Sequence, residues 1–231
     1  SCKESNKFRI VSENSEQIES IIMHKSLRLR HGVYAITPDT GQTTENLLSL
    51  TEQVMKGGIK ILQYRSKIND ENLRVRQAKK IKTLCRDYKV PLIINDDVAL
   101  AISIDADGIH LGKSDAPCSV VRTVLEGKKI IGISCYDSVS LAQNAERDGA
   151  DYVAFGSFYP SKSKPNAPLC SIETLKTAST ILNIPIVAIG GIQFENAKKL
   201  VDNGADYLAV IDQLFNHPSP TLAANKLSML F

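Results

Sequence analysis

Short apolar runs alternate with longer amphipathic segments along most of this chain. The apolar runs predict eight strands, at residues 32–37, 60–65, 91–96, 108–111, 129–135, 151–156, 185–191 and 207–212. The segments between them repeat their apolar positions with a helical period and predict helices at residues 45–56, 71–88, 138–148, 171–183 and 195–203. Runs such as Pro-Ile-Val-Ala-Ile at 185–189 are continuous, which is typical of parallel strands covered on both faces.

This alternation predicts an α/β fold, a single (β/α)8 TIM barrel, in about the length that such a barrel needs. A doubly wound sheet would also alternate strands and helices. Eight strands, and the pair Gly190-Gly191 at the end of the seventh, favour the barrel. We therefore divide the chain into an N-terminal leader, residues 1–31, and a catalytic barrel domain, residues 32–231.

The leader is polar apart from a weak apolar stripe between Ser15 and Leu29, which predicts one helix. This stripe ends in four basic residues, Lys25, Arg28, Arg30 and His31. Basic residues suit the dipole at a helix C-terminus, so we interpret them as a solvated helix end rather than a phosphate contact. Residues 1–20 lack an apolar stretch and predict no secretory signal peptide.

One short motif recurs where helices end and strands begin. Gly149-Ala-Asp-Tyr-Val-Ala returns as Gly204-Ala-Asp-Tyr-Leu-Ala, and Asp105-Ala-Asp-Gly-Ile-His is a looser copy. A glycine at this point can take the positive φ of a helix C-cap. The repetition therefore indicates a repeated strand–helix unit.

Composition narrows the class of protein. Of the 231 residues, 43% are hydrophobic, and 28 basic against 25 acidic side chains leave a net charge of +3. The hydrophobic fraction excludes a compositionally disordered protein, and the low net charge excludes the strongly basic surface of a nucleic-acid binder. No apolar run approaches the roughly 18 residues that a membrane-spanning helix needs. The five cysteines are scattered and never paired as C-x-x-C, so we expect free thiols and a cytoplasmic protein.

Polar side chains gather at the carboxyl ends of the predicted strands, where the active face of a barrel lies. Gln63, Arg65 and Lys67 alternate along the second strand, so they point the same way. Two cations and an amide on one face suit a multiply charged anion such as a diphosphate. A single Arg or Lys there would more often be a solvated strand end; the trio predicts an anion site.

Asp96 and Asp115 follow consecutive strands, so we expect them to be neighbours in space. Two carboxylates beside a cationic phosphate cradle predict a Mg²⁺ site, since magnesium is often held by one or two carboxylates and substrate phosphates. The alternative is that Asp96 or Asp97 caps the following helix, a common role for Asp after a strand.

Two further segments fit a phosphate. The loop Pro160-Ser-Lys-Ser-Lys-Pro165 offers hydroxyls, amides and Lys164, although Ser, Lys and Pro are also ordinary loop residues. Gly190-Gly191 would let backbone amides approach a ligand closely, at a strand end where phosphate sites are common in barrels. We assign no chemistry to His110, which we expect to be packed and hydrogen-bonded, or to Cys135, which we expect to pack in the barrel.

Taken together, these motifs resemble the thiamine-phosphate synthase (thiamine-phosphate pyrophosphorylase) family. The matching segments run in order over residues 32–215: Gln63-Tyr-Arg-Ser-Lys67, Ile94-Asn-Asp96, Asp107-Gly-Ile-His-Leu-Gly-Lys-Ser-Asp115, Ile131-Gly-Ile-Ser134, Gly149-Ala-Asp-Tyr-Val-Ala-Phe-Gly156, Pro160-Ser-Lys-Ser-Lys164 and Val187-Ala-Ile-Gly-Gly-Ile192. Each motif alone is modest, but the ordered set is specific.

The resemblance implies an enzyme that joins a hydroxymethylpyrimidine diphosphate to a thiazole phosphate and releases pyrophosphate with Mg²⁺. It implies that the pyrimidine diphosphate is held by Gln63, Arg65, Lys67 and Asn95, with Ser134 on the pyrimidine or its leaving group and Lys164 on the pyrophosphate. Asp96 and Asp115 are implied as metal ligands. The thiazole phosphate is implied to face Ser161, Ser163, Gly191, Ile211 and Asp212, and the predicted substrate site also includes Tyr64, Ser66, Lys162 and Gly190. Within this set Arg65, Lys67, Ser134 and Lys164 are the predicted catalytic residues.

The sequence departs from the family pattern at three places. Ser161 and Ser163 stand where threonines are usual, and Asp97 replaces a common basic residue. Asp212 stands where a small hydroxyl residue is usual, and a carboxylate beside a phosphate is repulsive unless it turns away or is protonated.

Three alternatives remain open at this stage. A thiazole tautomerase-like relative would share the barrel but would not need Arg65, Lys67, Asp96 and Asp115. A phosphosugar isomerase or indole-glycerol-phosphate synthase type of barrel would need a placed acid–base pair. A non-catalytic barrel that senses thiazole phosphate would fit a degraded site at Asp97 and Asp212. A homo-oligomer is compatible with the sequence, which does not determine the number of subunits.

Overall fold

Eight parallel strands close into a barrel in chain order, with β1 paired to both β2 and β8. The structure, a computed structural model, describes residues 31–39, 42–126, 129–161 and 168–231. The strands are β1 (Gly32–Ile36), β2 (Ile61–Tyr64), β3 (Leu92–Asn95), β4 (Gly108–Leu111), β5 (Ile130–Tyr136), β6 (Tyr152–Phe155), β7 (Ile186–Ile189) and β8 (Tyr207–Val210). The predicted fold class is confirmed.

Most strands are shorter than predicted at their carboxyl ends. Arg65, Asp96 and Gly190 all lie just beyond the last paired residue of their strand. Ladder pairing stops there because the chain turns away into the loops that form the active face. The residues with candidate chemistry are therefore loop residues anchored on strand ends.

Each strand is followed by a helix on the outside of the barrel. The helices are α1 (Thr44–Lys56), α2 (Glu71–Tyr88), α3 (Val98–Ser103), α4 (Cys118–Val124), α5 (Val139–Arg147), α6 (Ile172–Ile181), α7 (Phe194–Val201), α8 (Asp212–Phe215) and α9 (Pro220–Ser228). The five predicted helices match α1, α2, α5, α6 and α7 within two residues at each end. Several start at a side-chain cap, as when Asp70 accepts the N–H of Leu73 and Ser138 accepts that of Leu141.

Apolar residues of the strands divide between two cores. One lies inside the barrel and the other between the barrel and the helices. The inner core combines Ile61, Ile93 and Ile130 with three tyrosines, Tyr34, Tyr152 and Tyr207. Because both faces of each strand are covered, the strands are continuous apolar runs in the sequence.

The repeated Asp motif ties neighbouring strands together at the amino end of the barrel. An Asp at the start of each of β4, β6 and β8 accepts the N–H of a residue that begins the preceding strand. The pairs are Asp107 with Leu92 (2.7 Å), Asp151 with Ile131 (2.8 Å) and Asp206 with Ile186 (2.8 Å). Each carboxylate also meets a basic side chain: Lys82 at 2.8 Å, Arg122 at 2.5 Å and His31 at 3.6 Å. The repeated unit is therefore a structural latch.

Glycine suits the backbone turn that precedes the latch in the two close copies of this motif. Gly149 and Gly204 have φ of 93° and 106°, as predicted for residues that follow a helix end. In the looser copy Asp105 takes the same left-handed region, with φ of 52°.

Some predictions fall on parts of the chain outside the described residues. Of the predicted leader only His31 is described, and Cys2 lies outside. The other four cysteines, Cys85, Cys118, Cys135 and Cys170, are free and buried. Among the described helices, none is long and apolar enough to cross a membrane.

Candidate active site

A cavity of about 1020 Å³ opens at the carboxyl ends of the strands. Nine residues predicted to bind substrate line it: Gln63, Arg65, Asn95, Ser134, Ser161, Gly190, Gly191, Ile211 and Asp212. They come from six different strand ends, which meet here only because the barrel closes. The structure thus brings the predicted residues together, while their binding roles stay predictions.

Two cations of the predicted anion site share one carboxylate. Arg65 Nη1 lies 2.6 Å and Lys67 Nζ 3.2 Å from Oδ2 of Asp39, in the segment after β1. Thr37 holds the Arg65 backbone, since its Oγ1 accepts the Arg65 N–H at 2.9 Å and donates to the Arg65 carbonyl at 3.0 Å. Sequence analysis missed Asp39, although its position directly after the first strand is the kind of place where site residues occur.

Gln63 and Arg65 line the cavity, whereas Tyr64, Ser66 and Lys67 of the same motif are not among its lining residues. Tyr64 faces outward, where its hydroxyl donates to Gln77 of α2 at 2.7 Å. Its predicted place in the substrate site is therefore corrected, because side chains alternate along a strand and the neighbour of an inward residue points outward. Ser66 Oγ accepts the N–H of Ile68 at 3.2 Å in a local turn, and its place in the substrate site stays a prediction.

Asp96 and Asp115 lie side by side, as predicted. Asp96 takes a left-handed backbone conformation with φ of 62°, and Asn95 Nδ2 donates to its Oδ2 at 2.8 Å. Asp115 is oriented by the backbone N–H of Gly112, which donates to its Oδ2 at 2.6 Å. Partial desolvation, the negative charge of Asp115 and the hydrogen bond that protonated Asp96 donates to that carboxylate raise the pKa of Asp96 to about 6.

This carboxylate pair fits a hard divalent cation. Within the described ranges no cluster of three or more His, Cys, Asp or Glu residues could hold a metal ion. Asp96 and Asp115 therefore contribute two carboxylates, which is the donor set that Mg²⁺ uses when substrate phosphates and water complete its shell. A cation between them would also relieve the repulsion that raises the Asp96 pKa.

The helix-capping alternative applies to Asp97 rather than Asp96. Asp97 Oδ1 accepts the N–H of Leu100 at 2.9 Å and so caps α3. Its Oδ2 also lies 3.3 Å from Arg74 of α2. Asp97 thus uses both oxygens away from the cavity.

Ser134 is joined to His110 at the cavity wall. The distance from Ser134 Oγ to His110 Nε2 is 2.8 Å, and His110 Nδ1 lies 2.9 Å from the hydroxyl of Tyr152. His110 is thus packed and hydrogen-bonded on both nitrogens, as expected, but it also lines the cavity. Cys135 is fully buried, and desolvation raises its pKa to about 12, which agrees with a packing role.

The glycine pair after β7 is required by packing against the loop after β6. Gly190 and Gly191 have φ of 104° and 61°, so side chains are disfavoured at both. A Cβ at position 190 would lie 1.9 Å from Ser157 Oγ, and one at 191 would lie 2.4 Å from the Pro160 carbonyl oxygen. We expected these glycines to admit a ligand; the structure gives the neighbouring loop as the reason for them, although both also line the cavity.

The predicted phosphate loop is described only at its start. Ser161 lines the cavity. Lys162, Ser163 and Lys164 lie outside the described residues, so the structure places none of them.

Among the described residues, polar side chains that follow β7 and β8 line the far side of the cavity. Asp212 begins α8, where its Oδ1 accepts from Asn216 Nδ2 at 3.1 Å along the helix. Sequence analysis missed Gln193, Gln213, Asn216 and His217, which also line the cavity. All four follow β7 or β8, so strand-end position was the signal that could have found them.

Comparisons with known proteins agree with this geometry. A family model described as thiamine monophosphate synthase matches residues 33–214. Thiamine-phosphate synthases of Nitrosospira multiformis and Thiobacillus denitrificans are each 48% identical to this chain over 200 residues, which is 87% of this chain and 85% and 94% of theirs. The solved structure of thiamine phosphate pyrophosphorylase from Pyrococcus furiosus is 30% identical, with a TM-score of 0.79 over 88% of this chain and 96% of that one.

The family match covers nearly the whole barrel, from the first strand to α8. The chain therefore belongs to the thiamine monophosphate synthase family and is an enzyme, a transferase of the thiamine-phosphate synthase type.

Proposed function

We propose that this enzyme joins 4-amino-2-methyl-5-(diphosphooxymethyl)pyrimidine to 4-methyl-5-(2-phosphooxyethyl)thiazole, giving thiamine phosphate and pyrophosphate. One observation carries the proposal. The cation pair Arg65/Lys67 and the carboxylate pair Asp96/Asp115 follow neighbouring strands at the cavity end of the barrel, and Arg65 itself lines the cavity. A diphosphate with a divalent cation needs both signs of charge close together.

In the proposed reaction the bond between the pyrimidine methylene carbon and the diphosphate oxygen breaks, and its electron pair leaves with pyrophosphate. The thiazole nitrogen then forms the new C–N bond with its lone pair. The aminopyrimidine delocalises the positive charge that develops, so a dissociative step is favoured. The protein must therefore stabilise a leaving group more than it must supply a base.

The residues at β2 and β3 suit the diphosphate. Arg65 keeps several guanidinium donors beyond the one that meets Asp39, and Lys67 is 64% exposed beside it. Gln63 and Asn95 line the same wall and would orient the pyrimidine end. We also keep Lys164 as a ligand of the departing pyrophosphate, on the family resemblance.

Asp96 and Asp115 would hold Mg²⁺. When bound, the ion would supply positive charge to the diphosphate and so make it a better leaving group. Asn95, by donating to Asp96, and the Gly112 N–H, by donating to Asp115, keep the two carboxylates oriented.

The thiazole phosphate would occupy the opposite side of the cavity, near Ser161, Ser163, Gly191, Ile211 and Asp212. The Asp212 carboxylate accepts a hydrogen bond from Asn216, which orients it along α8. Cytoplasmic location is part of the proposal, supported by the free, buried thiols of the described residues.

The test is a reconstitution with both substrates and Mg²⁺, in which thiamine phosphate and pyrophosphate should appear in equal amounts. Chelation of the metal should stop the reaction. If the thiazole is isomerised without the pyrimidine diphosphate, or if both substrates bind and no pyrophosphate is released, the protein is a tautomerase-like or a sensing barrel and the proposal is wrong.

A further inference from the structure

Five polar side chains form a continuous hydrogen-bonded chain through the interior of the barrel. It runs from Gln63 to Tyr34 (2.8 Å), Tyr152 (2.7 Å), His110 (2.9 Å) and Ser134 (2.8 Å). The five residues come from five different strands, β2, β1, β6, β4 and β5. Both ends, Gln63 and Ser134, open into the cavity, whereas the two tyrosines do not line it.

The centre of this chain is fully enclosed. Tyr34 is 1% exposed and Tyr152 0%. Gly132 makes the space for Tyr152, because a Cβ at position 132 would lie 1.9 Å from Cζ of that ring. Tyr152 also stacks on His110, with ring centroids 5.6 Å apart. A buried polar chain is demanding because every member needs a partner, and an apolar interior layer would avoid that demand.

The protons available along this hydrogen-bonded chain of side chains determine which group donates in each pair. Burial raises the pKa of both tyrosines well above the ordinary value, so each phenol keeps its one proton. Gln63 Nε2 donates to the Tyr34 oxygen, so the Tyr34 proton is available to Tyr152. The Tyr152 proton then goes to Nδ1 of His110, which leaves the imidazole proton on Nε2.

The direction of these hydrogen bonds also determines which donor and which acceptor face the cavity at the two ends, Ser134 and Gln63. In that tautomer the Nε2–H of His110 would donate to Ser134 Oγ, 2.8 Å away, and the Ser134 hydroxyl proton would be left for a ligand. At the other end Gln63 uses its amide nitrogen inside the barrel, so its Oε1 is left as an acceptor. The cavity therefore presents one donor and one acceptor that are linked through the barrel.

We propose that Tyr34 and Tyr152 are positioning residues, which hold His110 in its Nε2–H tautomer and thereby keep Ser134 as a donor to the leaving pyrophosphate and Gln63 as an acceptor for the pyrimidine amine. This inference rests on the proposed function for the identity of those ligand groups. The tautomer itself is a property of the protein without ligand.

Tyr152→Phe interrupts the hydrogen-bonded chain of side chains but keeps the aromatic ring at this position. His110 Nδ1 then loses its donor, and the Nδ1–H tautomer becomes accessible. In that tautomer Ser134 must donate to His110 Nε2, so its proton turns away from the cavity. Because the donor acts on charge that develops as the bond breaks, we expect kcat to fall about 10- to 100-fold, with the KM for the thiazole phosphate within about twofold.

The experiment compares Tyr152→Phe and Tyr34→Phe with Tyr64→Phe. The control also removes the hydroxyl of a buried tyrosine, which is bonded to Gln77 at 2.7 Å outside the cavity. For each variant, kcat and KM are measured, and ¹⁵N NMR of the ligand-free protein reads the tautomer of His110. We expect Nδ1 to be an acceptor in the wild type and in Tyr64→Phe, and partly protonated in Tyr152→Phe.

An unchanged His110 tautomer in Tyr152→Phe, or a kcat within twofold of the control, overturns the proposal. In Tyr34→Phe, Tyr152 keeps its proton for His110 Nδ1, so the tautomer should stay as in the wild type and only Gln63 Nε2 loses its acceptor. A protonated Nδ1 in the wild type also overturns the proposal, so the test stands even when Tyr152→Phe fails to fold. If the wild type forms no thiamine phosphate, the proposed function fails, while the NMR comparison still decides whether the tyrosines set the tautomer.

Discussion

Aspartates occupy both ends of this barrel, and the two ends use them in opposite ways. At the amino end, Asp107, Asp151 and Asp206 each accept a backbone N–H and meet a basic side chain. At the carboxyl end, Asp96 and Asp115 face each other, and their mutual repulsion contributes to the raised pKa of Asp96. The first arrangement stabilises the fold; the second is unfavourable until a cation joins it.

This difference shows how one fold separates stability from function. The amino-end carboxylates complete their interactions within the protein, so their loss should lower the free energy of unfolding. The carboxyl-end pair should lower the activity when changed and leave stability intact or improved. The following experiments test that separation, from the largest expected effect to the smallest.

Asp96→Asn should reduce kcat by about 100-fold or more, because it removes one of two carboxylates available to Mg²⁺ beside the leaving group. The free energy of unfolding above pH 7 should stay equal or rise, since a repelled charge is lost. Steady-state pyrophosphate release and urea unfolding measure the two effects. Asp87→Asn, at an exposed position on α2, is the control; normal turnover in Asp96→Asn would contradict the metal assignment.

Asp151→Ala should destabilise the fold by about 2–3 kcal/mol and lower Tm by roughly 5–10 °C, because Arg122 and the Ile131 N–H lose a charged partner. The kcat at 25 °C should be unchanged. Asp206→Ala is the comparison and should cost about 1 kcal/mol, since its basic partner, His31, is exposed and 3.6 Å away. Equal losses at both positions would show that the basic side chain does not contribute to the latch.

The free energy of unfolding should depend on pH through the titration of Asp96. Its pKa of about 6 lies above the ordinary value, so the folded protein binds this proton more tightly than the unfolded chain does. Its contribution to stability is present at pH 4 and is lost as the pH rises through 6. After solvent screening, the loss should be below about 1 kcal/mol. Urea unfolding from pH 4 to 7.5 should show this slope in the wild type and not in Asp96→Asn; parallel curves would contradict it.

Asp39→Asn should have the smallest effect. Asp39 competes with a bound anion for Arg65 and Lys67, so its neutralisation should tighten pyrophosphate binding two- to fivefold, a change below about 1 kcal/mol. Calorimetric titration with pyrophosphate and Mg²⁺ measures it. Asp105→Asn, exposed and paired with Lys129 at the other end of the barrel, is the control. Weaker binding in Asp39→Asn would show that Asp39 supports the anion site rather than competing with it.

The candidate site was predictable wherever the signal was local. Arg65, Asn95 and Asp96 end or directly follow apolar runs, and Asp115 comes four residues after one. In a parallel barrel such positions converge, so their grouping was visible in the chain. Asp39 also follows a strand, β1, but no second charged residue stands beside it to mark the position. Tyr64 was placed wrongly because a motif of consecutive residues was taken whole, although side chains on a strand alternate.

The helices, too, could be predicted only where the local sequence pattern is long enough. The five helices that were predicted have eight residues or more, whereas α3 and α4, with six and seven residues, are too short to show a helical period. The role of Gly190 could not be predicted from the sequence, because it depends on contact with Ser157, a residue of a different loop.

By itself, the sequence determined the order of strands and helices, the closed barrel and the side chains at its active face, because each follows from a local apolar run and the residues that end it. Only the tertiary structure decided which tyrosines turn inward and meet. Tyr34 and Tyr152 look like ordinary apolar strand residues, and they are 118 positions apart in the chain. Their hydroxyls touch because the strands close into a barrel and Gly132 leaves room between them.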